Sequence, residues 1–330
     1  MATLFITEQK SIIRKTGDRL VVAKDDAVLL EIPCLKIDTI LIYGNVQITT
    51  QALVKMLDHG IEVALLSRSG RLRGQVTPVK AKNIVLRMRQ YEMSQSESFC
   101  LSFARAVVAA KIASSAAVLW RFQKNHPEAL TDADVNEVER AAESLEAMST
   151  LDSLRGLEGT AAARYFRCLG RMAPPDIGFE NRNRRPPRDP LNALLSFGYV
   201  LVGNEIQALL DAMGFDPYLG FFHQIDYGRP SLALDLLEEF RAPLVDRFSL
   251  RLLNLGTLSH ASFTPTPEGG VILEREALKR YFTAYEKELT QPIALDGETA
   301  SFRDLFRRQG ERLARALTQN EPYEPFRLPC

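Results

Sequence analysis

The sequence predicts an α+β multidomain chain, with a small β-rich, β-sandwich-like N-terminal domain over residues 1–80 and a larger all-α domain over residues 94–330. Two observations carry this. Up to about residue 80 the apolar residues alternate or stand in short β-branched runs, the pattern of strands that bury one face. Beyond Pro78 they recur at helical spacing, in segments too long for strands. Residues 81–93 lie between the two patterns and read as a linker.

In the first domain, strands are expected at residues 4–6, 11–15 and 19–23, the last two joined by a Thr16-Gly17-Asp18 turn. Residues 27–33 and 39–42 continue a meander. Tyr43-Gly44-Asn45 breaks it, and Thr49 or Thr50 can cap a short helix that stops at Gly60. Residues 61–66 and 71–76 read as a further hairpin around Ser69-Gly70. In the second domain, Ser94 and Glu97 have capping-box spacing and open a long helix, rich in Ala, Val and Ile, that reaches about residue 123. Helices follow over residues 132–148, 150–172 and 191–213. Pro174, Pro175 and the Arg-rich residues 181–190 form a loop that helices cannot cross. The remainder, to about residue 319, is again helical apart from a Pro- and Gly-rich break at 264–270.

Composition narrows the function classes. The 330 residues are 46% hydrophobic and 25% charged, ordinary globular material. No stretch of about 18 uncharged apolar residues stands out, and the first residues read as a strand, so neither a membrane span nor a signal peptide is expected. A cytoplasmic location follows. Cys34, Cys100, Cys168 and Cys330 lack paired spacing, which argues against a disulfide framework or a zinc knuckle. Net charge is zero, yet the basic residues cluster: Arg68 to Arg89 includes seven Lys or Arg and no acid, and Arg182, Arg184, Arg185 and Arg188 share one loop. Taken singly each run reads first as a solvated face, and two of them beside a candidate metal site shift the reading toward a phosphate-binding track. Walker, dinucleotide and nucleophile-elbow signatures are absent.

Metal-assisted chemistry remains, and His223 is its best anchor. His59 ends a helix, where a cation complements the dipole. His126 precedes a proline in a loop, and His260 sits in a polar turn. His223 differs because Asp235, Glu238 and Glu239 return within one helix of it. Asp235 and Glu238, three apart, share a helix face. Two readings compete: acids near a helix N-terminus capped by Ser231, or carboxylates forced to an interface by Leu232, Leu236, Leu237 and Phe240. A buried carboxylate needs a partner, and a divalent cation is a good one. Glu158 is the candidate third ligand, because the flanking Gly156 and Gly159 are costly in a helix and point to close approach of another group.

At these residues the sequence resembles the CRISPR-associated Cas1 family. The resemblance rests on LIYGNVQITTQAL and GIEVALLSRSGRLRG in the first domain. In the second it rests on LRGLEGTAAARYF, RRPPRDPLNALLSFGYVLV and GFDPYLGFFHQIDYGRPSLALDLLEEFRAPLVDR. It implies a dimerising β-rich domain and a helical domain with a Mg²⁺ or Mn²⁺ site held by Glu158, His223 and Glu238, with Asp235 as an adjacent acid. Asn192 and Tyr199 would lie near that site. The implied activity is insertion of protospacer DNA into the CRISPR repeat by metal-dependent transesterification, with nuclease activity on branched or double-stranded DNA. DNA would be held by Arg182, Arg184, Arg185 and Arg188, with Tyr199, Arg229, Arg241 and Arg247 nearer the metal motif. The implied partner is Cas2, a Cas2 dimer bridging two homodimers. Two other readings stand beside this one: a non-catalytic DNA-binding subunit of an adaptation complex, and a metal-dependent DNA-repair nuclease.

Overall fold

A computed structural model describes residues 2–25, 27–67, 72–77, 83–295 and 297–329. The chain divides into two compact units, Met1–Ala81 and Lys82–Cys330.

The first unit contains β1 (Ala2–Ile6), β2 (Ile12–Thr16), β3 (Arg19–Lys24), β4 (Ala27–Pro33), β5 (Ile37–Tyr43), β6 (Gln47–Ile48), α1 (Thr50–Asp58), β7 (Glu62–Leu66) and β8 (Leu72–Val76). They form two four-stranded sheets, ordered β1-β5-β7-β8 and β4-β3-β2-β6. Gly17, at φ +56°, closes the β2–β3 hairpin, and the register puts Ile13 opposite Val22. One core joins the sheets: Ile13 and Leu20 from one, Ile40, Ile42 and Val63 from the other, with Ala52 and Met56 of α1. The expected meander holds for β2, β3 and β4, which pair antiparallel in sequence order, but β5 leaves it for the other sheet. β1 runs parallel to β5 and β5 to β7, pairings that need a crossover, which α1 helps to supply. Hydrophobic period reveals strands but not their partners. The expected Ser69-Gly70 turn, and Arg68, Arg71, Lys80 and Lys82 of the first basic run, lie outside the described residues.

The second unit is predominantly helical: α2 (Ile84–Ser94), α3 (Glu97–Asn125), α4 (Asp132–Glu139), α5 (Leu151–Met172), α6 (Pro190–Met213), α7 (Ser231–Leu237), α8 (Arg247–Asn254), α9 (Arg275–Thr290) and α10 (Phe302–Gln319). It also holds two short hairpins, β9 (Phe263–Pro265) with β10 (Val271–Leu273) and β11 (Ile293–Leu295) with β12 (Glu298–Ala300). The first of these is built on the Pro- and Gly-rich break. α2 occupies the stretch expected to be a linker: Asn83 caps it, and it buries Leu86 and Gln90. The Gln90 amide donates to the carbonyls of Asp216 and Leu219. Ser94 therefore closes α2, its hydroxyl donating to Tyr91 O, and Ser96 caps α3 instead.

By length and composition alone α3 and α6 are apolar enough to cross a membrane, which the charge pattern did not anticipate. In the fold 61% and 56% of their most apolar stretches are buried, as core helices are. Arg87 and Arg89, from the first basic run, spend their guanidinium groups on the carbonyls of Gly214 and Leu317.

Candidate functional site

Glu158, His223 and Glu238 reach one cavity of about 1220 Å³ from three segments. That exceeds the range of about 300–1,000 Å³ usual for small ligands. Glu158 stands two turns into α5, which Thr150 and Ser153 cap reciprocally. Glu238 follows the last residue of α7, just before a π-helical turn at Arg241–Asp246.

His223 is positioned by Asp235. The Asp235 carboxylate is fully buried and accepts four hydrogen bonds: Phe221 N at 2.7 Å and Phe222 N at 3.0 Å on Oδ2, His223 N at 2.8 Å and His223 Nδ1 at 2.7 Å on Oδ1. Of the two readings of this acid, the buried one holds: Asp235 closes the loop rather than complementing a helix start. Ser231 also does not cap α7; its hydroxyl donates to Gln224 O at 2.9 Å. The wrap requires Gly220, because a Cβ there would stand 2.6 Å from Asp235 Oδ2 and 2.8 Å from the Ser231 backbone. Held through Nδ1 by Asp235, the imidazole turns Nε2 toward Glu238, 3.6 Å from Oε1. Arg155 braces the same loop, donating from Nη2 to Phe222 O at 2.6 Å.

Between the two glutamates lies Lys111, which the sequence pattern does not single out. Its ammonium contacts Glu158 Oε1 and is 2.6 Å from Glu238 Oε2. Arg241 Nε is 2.9 Å from Glu238 Oε1, its guanidinium 4.3 Å from the Tyr199 ring centroid. Burial opposes charge on Glu238, but Arg241, Lys111 and His223 hold its carboxyl well below the usual range. Burial likewise opposes the Lys111 ammonium, and Glu238 and Glu158 hold its pKa above the ordinary lysine value. A lone lysine in the apolar run of α3 was the available signal. Gly156 and Gly159 have another lesson: nothing lies within 4 Å of a Cβ at either, so close packing does not explain them.

Among the described residues, no three acid, imidazole or thiol groups already stand gathered around a metal position. The donor set nevertheless fits a hard divalent cation. Two carboxylates converge on one ammonium, His223 Nε2 faces one of them, and buried Glu238 Oε2 lacks a well-directed hydrogen bond.

Behind the site is Asp246, 1% exposed, which accepts from Tyr199 OH at 2.5 Å. Burial pushes its pKa up to about 6, against the pull of that bond and of Arg241. A carboxyl raised on folding contributes stability that is complete below its unfolded value near 3.8 and is lost as pH rises through about 6. The loss amounts to at most about 3 kcal/mol. Asp246→Asn should therefore flatten the fall in melting temperature between about pH 4 and pH 6, read by calorimetry on both proteins; parallel curves would remove Asp246 as the cause.

The basic candidates separate. Arg182, Arg184, Arg185, Arg229, Arg241 and Tyr199 line the cavity with Glu158, His223 and Glu238. Arg182 is a brace, donating to Asn192 Oδ1 at 2.7 Å and Ser196 Oγ at 3.0 Å, while Arg184 and Arg185 are exposed. Buried Asn192 pins the loop by donating to Asn181 O and Asp189 Oδ2 rather than lining the cavity. Val271 N of β10 donates to Pro187 O and backs the loop. Arg188 does not line the cavity, and Arg247 turns away to Glu288 at 3.2 Å and the Phe302 ring, because that buried glutamate attracts it.

This architecture is the one seen in a casposase bound to integration product, which matches at TM-score 0.88 over 100% of this chain and 94% of that one, with 23% identity. A Cas6-RT-Cas1–Cas2 complex matches at TM-score 0.85 with 26% identity, over 100% of this chain and 36% of its own. The fold class is therefore that of Cas1 proteins, a small β unit followed by a mostly helical one. The model of the family described as CRISPR associated protein Cas1 matches residues 4–287. A CRISPR-associated endonuclease Cas1 of Thermus thermophilus is 34% identical over 99% of this chain and 97% of its own. This chain belongs to the Cas1 family.

Proposed function

We propose that this chain is the integrase of CRISPR adaptation, joining the 3′ ends of a captured DNA duplex to the repeat by metal-dependent transesterification. One observation carries the reading: Glu158 and Glu238 meet at the Lys111 ammonium, and His223 Nε2 stands 3.6 Å from Glu238, in a cavity where basic side chains outnumber acidic ones. Glu158, His223 through Nε2, and Glu238 would hold Mg²⁺ or Mn²⁺. Such an ion, when bound, lowers the pKa of an attacking hydroxyl and neutralises charge on the phosphate. Asp235 keeps the imidazole in the ligating tautomer. Arg229 and Arg241 sit where a scissile strand would pass, and the exposed Arg184 and Arg185 offer phosphate contacts on the rim. One phosphodiester is exchanged for another, so no nucleotide is consumed, in keeping with the missing Walker motif. Water in place of the hydroxyl makes the same site a nuclease, in line with the name endonuclease borne by the Thermus relative.

The proposed setting is the cytoplasm, with DNA and Cas2 as partners; the Cas6-RT-Cas1–Cas2 complex of similar fold holds Cas2 together with Cas1. Two homodimers would flank a Cas2 dimer. Support for dimerisation through the β unit comes from Val28 and Leu29 on the edge strand β4, 61% and 50% exposed, and from Leu35 at 83%.

The test is to incubate the protein with Mn²⁺, a short DNA duplex and a repeat-bearing plasmid, with and without Cas2. Half-site and full-site products that vanish on chelation support the reading; joining that persists in chelator rejects it. Replacing Arg184 and Arg185 together by Ala should weaken duplex binding about tenfold at 0.1 M salt and reduce the log–log salt slope by about two. An unchanged slope takes this loop off the DNA path.

A further inference from the structure

Lys111 is the one lysine in the apolar stretch of α3 between Ala106 and Ala117, and its side chain is only 15% exposed. Its ammonium touches both glutamates that would hold the metal, while Arg241 takes the other oxygen of Glu238. Lys111 and Arg241 together offset Glu158 and Glu238, so both carboxylates already have counter-charges before any metal arrives. A divalent ion bound between Glu158 and Glu238 would displace the ammonium that now bridges them or stand against it as a like charge a few ångströms away, which repels it.

We infer that Lys111 is a positioning residue that holds the cation place in the DNA-free protein and yields it only when a DNA phosphate arrives to receive its ammonium, so that metal and DNA bind cooperatively. This rests on the metal-site reading above. Three features carry it. The lysine stem is long and flexible, so the ammonium can swing while α3 stays fixed. The phosphodiester supplies negative charge to balance the incoming ion. Tyr199 and Asp246 hold Arg241 in place behind Glu238, which leaves Lys111 as the cation free to move. A core lysine with a merely structural role would stabilise the fold but would not set the metal affinity.

The measurement is Mn²⁺ affinity by electron paramagnetic resonance on the full chain. It is made with and without a short DNA duplex bearing unpaired 3′ ends, with Mn²⁺ bound by the duplex alone subtracted. Wild type should bind Mn²⁺ weakly alone and about tenfold or more tightly with the duplex. Lys111→Met should raise the DNA-free affinity about tenfold and shrink the effect of DNA to a few-fold. Lys111→Arg, which keeps the charge, should leave DNA-free binding weak. Removing one partner from the buried cluster should also lower the metal-free melting temperature of Lys111→Met, and added Mn²⁺ should raise it by more than in wild type. The inference is overturned if Lys111→Met binds Mn²⁺ no more tightly than wild type, or if DNA leaves the wild-type affinity unchanged. A wild type that binds no Mn²⁺ even with DNA overturns the metal reading itself and the inference with it.

Discussion

Glu158→Gln is expected to reduce the proposed Mn²⁺-dependent joining of a DNA duplex to a plasmid by about a thousandfold or more, the order lost when one electrostatic anchor of a transition state is removed. The fold should persist, because the Glu158 side chain is 23% exposed and its partner is the end of a long lysine side chain. Glu238→Gln should reduce joining to the same extent but also cost stability. That carboxylate is 5% exposed and compensates Lys111 and Arg241, both of which lose a buried counter-charge. Breaking a buried pair from one side costs about 3–5 kcal/mol, which is several degrees of melting temperature for a unit of this size. Joining assays and melting curves on the two variants therefore separate metal holding from charge compensation. A Glu158→Gln protein that keeps more than about a tenth of wild-type joining would falsify the ligand assignment.

What could be read from the chain depended on how local the cause was. The strands and helices were legible because period and capping chemistry are local: Gly17 closes its hairpin, and Thr150 and Asp189 cap α5 and α6. Strand order was not, since the parallel pairing of β1 with β5 depends on contacts that hydrophobic pattern does not encode. His223 and Glu238 were visible from carboxylates returning within one helix of a histidine. Glu158 does line the cavity, but not for the reason its flanking glycines suggest, because the surroundings of both are open. Lys111 escaped because a single cation in an apolar helix looks like a snorkelling side chain until the facing acids are known. Arg247 and Arg229 could not be told apart in the sequence; Glu288, more than one helix downstream, takes the first and leaves the second to the cavity.

Asp235 stands beside the proposed metal ligands and holds the loop that carries His223, so its substitution is expected to act at two levels. Asp235→Ala leaves three backbone N–H groups, those of Phe221, Phe222 and His223, without their acceptor in a buried loop. Each orphaned donor costs about 1–3 kcal/mol, so this variant should melt far below wild type even without metal. Asp235→Asn is the sharper experiment. Its amide keeps one oxygen for the backbone donors, but an NH₂ facing Nδ1 can only donate. The imidazole must then place its proton on Nε2, the nitrogen that would otherwise ligate. Mn²⁺ affinity and strand joining should fall together by about 10–100-fold, the usual effect of losing the group that orients a ligating histidine. ¹⁵N chemical shifts of His223 should report the exchanged tautomer. If Asp235 were itself a ligand, metal binding would be lost while the metal-free melting temperature and the His223 tautomer stayed as in wild type. Four donors already converge on this fully buried carboxylate, which leaves it no oxygen for a metal and commits it to the loop that carries His223.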